Sequence, residues 1–186
     1  MRSGHIRWAS LFVRQGGVIA YPTEAVYGLG CSPWDAVAVS RVRSLKRRHA
    51  SKGLIVVAAH VEQLETLVDF NREFLTEAVL SSWPGPVTWV LPASEQAPAW
   101  LIGSQHNIAV RVSAHPVVQR LCLSAGPLVS TSANPAGARP ATSAFRVRAY
   151  FGNQLDYIVP GETGPLQQPT EIRDAVTGEL LRKGAG

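Results

Sequence analysis

The stretch Gly16-Gly17-Val18-Ile19-Ala20-Tyr21-Pro22-Thr23-Glu24-Ala25-Val26-Tyr27-Gly28-Leu29-Gly30 decides the fold class. Val18–Tyr21 is a short apolar run stopped by Pro22, the pattern of a buried strand. Beyond Pro22 the chain presents a hydroxyl, a carboxylate and a phenol before two further glycines. Upstream, Ile6, Ala9 and Val13 share a face with Phe12 beside them, so residues 4–15 read as a helix ending before Gly16-Gly17. Tyr27 has two readings: a site residue, or a core ring whose hydroxyl is tied to backbone.

The same alternation continues downstream. Asp35 is placed to cap a helix carrying Val39, Val42 and Leu45. Gly53–Ala58 reads as a second buried strand, and residues 61–82 as one or two helices broken by Pro84-Gly85-Pro86. Val87–Leu91 and Ile108–Val112 read as strands, Pro116 opens a helix over Val117–Leu123, Pro127–Ser130 enters another strand, and 142–150 is helical. Tyr157–Val159, Glu171–Asp174 and Leu180–Arg182 read as terminal strands. Intermixed helices and strands with several short connections predict an α/β fold on a mixed sheet. Length and the absence of internal repeats predict a single domain over residues 1–186.

Composition narrows the function classes. Apolar residues make up 46% of the chain, enough for a core, and no run reaches the roughly 18–20 apolar residues of a membrane span. The N-terminus lacks the apolar region of a secretion signal, and Cys31 and Cys122 are too few for a disulfide framework. A cytoplasmic protein with no membrane partner is expected. The net charge of +5 rests on 15 Arg and 3 Lys, and six of these 18 bases lie between Arg41 and Lys52 with no acid among them. A solvated helix face is the simple account of such a run. The Arg bias favours anion binding through bidentate guanidinium forks, without separating a nucleotide site from an RNA surface.

Several chemistries are not supported. There is no GxxxxGK[ST] loop and no GxSxG elbow, and Gly28-Leu29-Gly30 lacks the remaining glycine of a dinucleotide fingerprint. The histidines show no metal-ligand spacing. Without an evident nucleophile–base pair, positioning and electrostatics become the stronger candidates for catalysis.

Three segments put polar groups at strand ends, where α/β folds bind ligands. In the Tyr21–Gly30 loop, Thr23 can meet a ligand hydroxyl or carboxylate. Lys46-Arg47-Arg48-His49-Ala50-Ser51-Lys52-Gly53 crowds four cations around a tight connection. At an effective dielectric of about 20, each cation within roughly 4 Å of a phosphate contributes about 4 kcal/mol of gross attraction before desolvation. Ser130-Thr131-Ser132-Ala133-Asn134-Pro135-Ala136-Gly137 follows a strand with hydroxyls and an amide, a natural phosphate cradle.

Taken in order, these segments resemble the YrdC-like family in its short single-domain bacterial form. The resemblance also includes Trp83-Pro84-Gly85-Pro86-Val87-Thr88, Ala109-Val110-Arg111, Pro169-Thr170-Glu171-Ile172-Arg173-Asp174 and Leu181-Arg182-x-Gly184. It implies an α/β domain with a twisted mixed sheet, flanking helices and a positively charged concave face. It also implies a reaction that joins L-threonine, bicarbonate and ATP into threonylcarbamoyl-adenylate and releases pyrophosphate, with Mg²⁺ beside the phosphates. The product serves N6-threonylcarbamoyladenosine formation at position 37 of tRNA. On this resemblance Lys46, Arg48, Ser51 and Lys52 hold the ATP phosphates, Ser132 and Asn134 complete the nucleotide site, and Arg182 adds a further ATP contact. Asn107 and Pro140 line the pocket on the nucleotide side. Thr23, Arg111, Ser130 and Thr170 surround threonine, with Arg111 suited to its carboxylate. Direct tRNA binding and hand-over to a downstream threonylcarbamoyl-transfer complex are the partners implied.

Two rival readings remain at the sequence level. A basic RNA- or tRNA-binding module without chemistry would account for the charge. A carbamoyl-phosphate-using transferase would share the fold, though the larger proteins of that type carry zinc-binding and acylphosphatase-like regions absent from this chain.

Overall fold

The computed structural model describes residues 3–47, 53–70, 74–103, 105–166 and 168–184. Among them the chain runs α1 (Ser3–Arg14), β1 (Ile19–Pro22), β2 (Tyr27–Gly30), α2 (Ala36–Lys46) and β3 (Ile55–Ala58). It continues through α3 (Glu77–Ser81), β4 (Val87–Pro92), β5 (Asn107–Val112), α4 (Pro116–Ala125), β6 (Leu128–Ser132) and α5 (Ala144–Phe151). The chain ends on β7 (Tyr157–Ile158), β8 (Glu171–Asp174) and β9 (Leu180–Arg182). The strands form one nine-stranded mixed sheet in the order β7-β1-β2-β6-β3-β5-β4-β8-β9. The pairs β1–β7, β3–β5 and β4–β8 are parallel and the others antiparallel.

Strand alternation buries both faces of the sheet. Val18, Ala20, Val56, Ala58 and Val129 belong to one apolar core, with Val39 and Val42 of α2 and Val147 and Phe151 of α5. Their neighbours Ile19, Tyr21, Val57 and Leu128 belong to a second core, with Ile6, Ala9 and Val13 of α1 and Val118 and Leu121 of α4. The functional surface shares this second face: Ser130 lies two residues beyond Leu128, and Ile55 two before Val57.

Local signals account for most boundaries. The Asp35 side chain accepts from Ala38 N at 2.9 Å and starts α2, and Gly16, at φ 80°, ends α1. Pro116 takes the first turn of α4, whose missing N–H donor costs nothing there. Two expectations change. The Tyr21–Gly30 segment is a β1–β2 hairpin, in which Tyr21 pairs with Gly28 and only residues 23–26 form the turn. Among the described residues of 61–82, helix is confined to two short pieces: Val61–Leu64 is a single 3-10 turn and α3 has five residues. Apolar spacing there serves an irregular path that packs Leu64, Leu67 and Val68 into the core.

Candidate active site

A cavity of about 400 Å³ opens on the sheet face beyond α1 and α4, within the usual size range of small-molecule sites. Gly28 of β2, Ser130, Thr131 and Ser132 of β6, and Gly53, Leu54 and Ile55 bound one side. Asn107, Ala109 and Arg111 of β5, Pro169, Thr170 and Ile172, and Leu181 and Arg182 bound the other. Asn107, Ala109 and Arg111 alternate along β5, so the two-residue period puts all three on one face.

The hairpin shapes the floor of the cavity. A Cβ on Gly28 would lie 3.2 Å from Ser130 Oγ and 3.3 Å from Thr23 Cγ2. A Cβ on Gly30 would lie 2.5 Å from Val129 O and 2.7 Å from the Tyr21 ring. The Gly-x-Gly spacing therefore makes room for side chains of the neighbouring strands. The Thr23 hydroxyl donates to Val26 O at 2.8 Å, closing the turn. Its oxygen lone pairs remain available to a donor. Tyr27 is fully buried and its hydroxyl donates to Gly161 O at 2.6 Å, which is the core reading of that residue. Burial pushes its phenol pKa up.

Arg111 and Glu24, 4% and 7% exposed, form a buried ion pair with Nη2 3.2 Å from Oε2. Arg111 Nη1 also donates to Thr170 Oγ1 at 2.7 Å and to Thr88 Oγ1 at 3.4 Å. The Ser113 hydroxyl donates to Glu24 Oε1 at 2.5 Å and accepts from His115 N at 3.1 Å. His115 in turn caps α4 by accepting from Val117 N at 3.3 Å through Nδ1. Burial lowers the His115 pKa, partly offset by Glu24 and by the Glu162 carbonyl. Arg111 Nε is buried and has no hydrogen-bond partner among the described residues.

At the other end, Lys46 anchors the turn after β6. Its ammonium donates to Ser132 O at 2.6 Å, Ser132 Oγ at 3.0 Å and Asn134 Oδ1 at 2.8 Å. Asn134 Nδ2 donates onward to Ala138 O at 2.7 Å. Arg182 donates from Nε and Nη2 to Thr170 O at 3.0 and 2.7 Å. Thr170 thus meets Arg111 through its hydroxyl and Arg182 through its carbonyl.

Of the residues expected from sequence, Thr23, Asn107, Arg111, Ser130, Ser132, Thr170 and Arg182 line this one cavity. Lys46 and Asn134 stand behind Ser132, and half-buried Pro140 is not among the lining residues. Arg48, Ser51 and Lys52 lie outside the described residues. Two cations of the basic run hold the fold itself. Arg41 pairs with Asp156 at 2.6 Å, and Arg43 donates to Trp100 O at 2.8 Å. Local sequence patterns give no role to Glu24, Ser113, His115 or Thr88. A usable signal was present: Glu24 and Arg111 are isolated opposite charges in otherwise apolar strand-rich segments, and such charges are buried only in pairs.

The Sua5_yciO_yrdC family model, described as "Telomere recombination", matches residues 12–184. The chain belongs to this family. It is 51% identical over 183 residues to the threonylcarbamoyl-AMP synthase of Halorhodospira halophila, covering 98% of this chain and 96% of that protein. It is 50% identical over 174 residues to the enzyme of the same name from Pseudomonas paraeruginosa, covering 94% of each chain. Among solved structures it resembles P. abyssi Sua5 complexed with L-threonine, with TM-score 0.88 and 37% identity, over 96% of this chain. This chain spans 54% of that protein's length. Among the described residues, no helix is long and apolar enough to cross a membrane.

Proposed function

We propose that this cavity joins L-threonine, bicarbonate and ATP into threonylcarbamoyl-adenylate and releases pyrophosphate, as a threonylcarbamoyl-AMP synthase for N6-threonylcarbamoyladenosine in tRNA. The strongest support is one cavity lined by Arg111, Ser132 and Arg182, in a chain 50% identical over 174 residues to a synthase of that name.

The residues divide between two substrates. Arg111 offers its unpartnered Nε–H to the threonine carboxylate, with Thr170, Ser130 and the Thr23 oxygen around the amino acid. The threonine amine attacks the bicarbonate carbon and loses a proton, and water departs to leave an N-carboxylate. That carboxylate attacks the α-phosphorus of ATP, the bond to the bridging oxygen breaks, and pyrophosphate carries away the electron pair. Arg48, Ser51, Lys52, Ser132 and Arg182 hold the phosphates, while Lys46 and Asn134 fix Ser132 from behind. Asn107 flanks the nucleotide inside the cavity, and Pro140 contributes only where the nucleotide reaches beyond its lining. Each role is binding, orientation or charge neutralisation, which is the main source of rate in phosphoryl-type transfer.

Mg²⁺ fits this site as a companion of the triphosphate. The ion needs few protein oxygens beyond phosphate and water, and the hydroxyls of Ser130 and Ser132 border the cavity; bound there it would neutralise charge on the departing pyrophosphate. The Arg bias of the chain supports a basic face over the cavity, where tRNA or the complex that receives the adenylate docks, within the cytoplasm.

Product analysis tests the reading. Incubation with labelled bicarbonate, threonine and ATP should give a labelled adenylate separable by chromatography. Arg48→Ala and Ser132→Ala should lose it while remaining folded. Near-normal yield in both variants would sink the site assignment.

A further inference from the structure

We propose that Glu24 is a positioning residue for this reaction, aiming the Arg111 guanidinium at the amino-acid end of the cavity. The proposal rests on the assignment of Arg111 to the threonine carboxylate. Glu24 is not among the residues lining the cavity, although its neighbours Thr23 and Ala25 are. Its action must therefore pass through another side chain.

The geometry specifies which one. Glu24 Oε2 accepts from Arg111 Nη2 at 3.2 Å, and Oε1 accepts from the Ser113 hydroxyl at 2.5 Å. Both oxygens of a buried carboxylate are thus committed, one to the guanidinium and one to a hydroxyl just beyond β5. Ser113 is fully buried and is itself fixed by the backbone N–H of the α4 capping residue. On the opposite edge, Thr170 and Thr88 take Arg111 Nη1. Held from the hairpin turn, from β4 and from the segment before β8, the guanidinium has little freedom to rotate. Nε is the guanidinium nitrogen without a partner among the described residues, and it is buried. A buried donor without a partner is costly, so an acceptor brought by the ligand gains more there than at an exposed site. Glu24 also cancels the Arg111 charge. That leaves an oriented donor, rather than a net charge, to meet the carboxylate at the amino-acid end.

The test combines pyrophosphate-release kinetics, with threonine and ATP varied separately, and calorimetric titration of threonine without ATP. Glu24→Ala should raise the threonine KM and Kd roughly 10- to 100-fold, the value of one charge-assisted contact, and leave the ATP KM unchanged. Glu24→Gln keeps an oxygen for Arg111 and a partner for Ser113, and should recover most of the loss. Ser113→Ala, which removes one hydrogen bond and no charge, should give an intermediate shift. Should Glu24→Ala fail to fold, Ser113→Ala decides: a raised threonine KM supports the role and an unchanged one overturns it. A threonine KM unchanged in folded Glu24→Ala, or threonine and ATP KM rising together, also overturns it. If wild type binds threonine but releases no pyrophosphate, the assigned reaction fails while the titrations still judge Glu24. Absence of threonine binding overturns both.

Discussion

Gly30 shows how tightly single residues define the hairpin. Its missing side chain leaves room for the Tyr21 ring and for the Val129 carbonyl, two partners that cannot move without disturbing β1 or β6. Gly30→Ala should therefore destabilise the protein by about 1–3 kcal/mol, the usual range for overpacking, measured by denaturant unfolding. A wild-type midpoint would show that the hairpin is looser than this contact implies. The two cysteines give the opposite kind of residue. Burial pushes the thiols of Cys31 and Cys122 up to about 12, so neither is a nucleophile at neutral pH. Catalysis by alignment of substrates agrees with that inert chemistry.

At the scale of elements, the α4 cap links fold to site. His115 accepts a backbone N–H at the start of α4, and its own N–H fixes Ser113 behind Glu24. Burial holds the folded-state pKa of His115 below its ordinary value of about 6.5. The unfolded chain therefore binds the proton more readily, and stability must rise with pH across this interval. The His115 contribution is fully present above about pH 6.5 and is lost as pH falls through the depressed folded pKa. His115→Asn, which retains a capping group, should flatten that part of the stability-versus-pH curve in thermal unfolding. Identical slopes for variant and wild type would remove His115 from the account.

Much of this element structure was legible in the sequence, for identifiable reasons. Asp35, Pro116 and the glycines after α1 act through local hydrogen bonding and backbone preference, so their neighbours alone reveal them. Strands such as β1 and β3 are readable because both of their faces are buried, which makes each a continuous apolar run. Between Val61 and Val68 the helical spacing extends further than the helix, because the same spacing also fits a turn-rich segment that packs Leu64, Leu67 and Val68 inward. The hairpin reads as a loop in sequence because its second strand, Tyr-Gly-Leu-Gly, has two glycines where strand propensity asks for bulk. Those glycines answer to neighbours distant in sequence, as do the partners of Arg111, and no local pattern encodes such contacts.

For the whole molecule, the basic run illustrates the limit of charge as a guide. Arg41 and Arg43 tie α2 to residues 154–156 and to Trp100, and Lys46 organises the turn after β6. These bases serve the architecture as well as any anion. What distinguishes the molecule is the meeting of three distant parts at one cavity: the hairpin with Thr23, the β6 turn with Ser132, and the tail with Thr170 and Arg182. The central claim is that this cavity couples two substrates and bicarbonate in a single reaction. Pyrophosphate release from ATP, with threonine and bicarbonate each omitted in turn, tests it most directly. Release is expected only when both are present, whereas turnover of ATP indifferent to threonine would rule out this reaction.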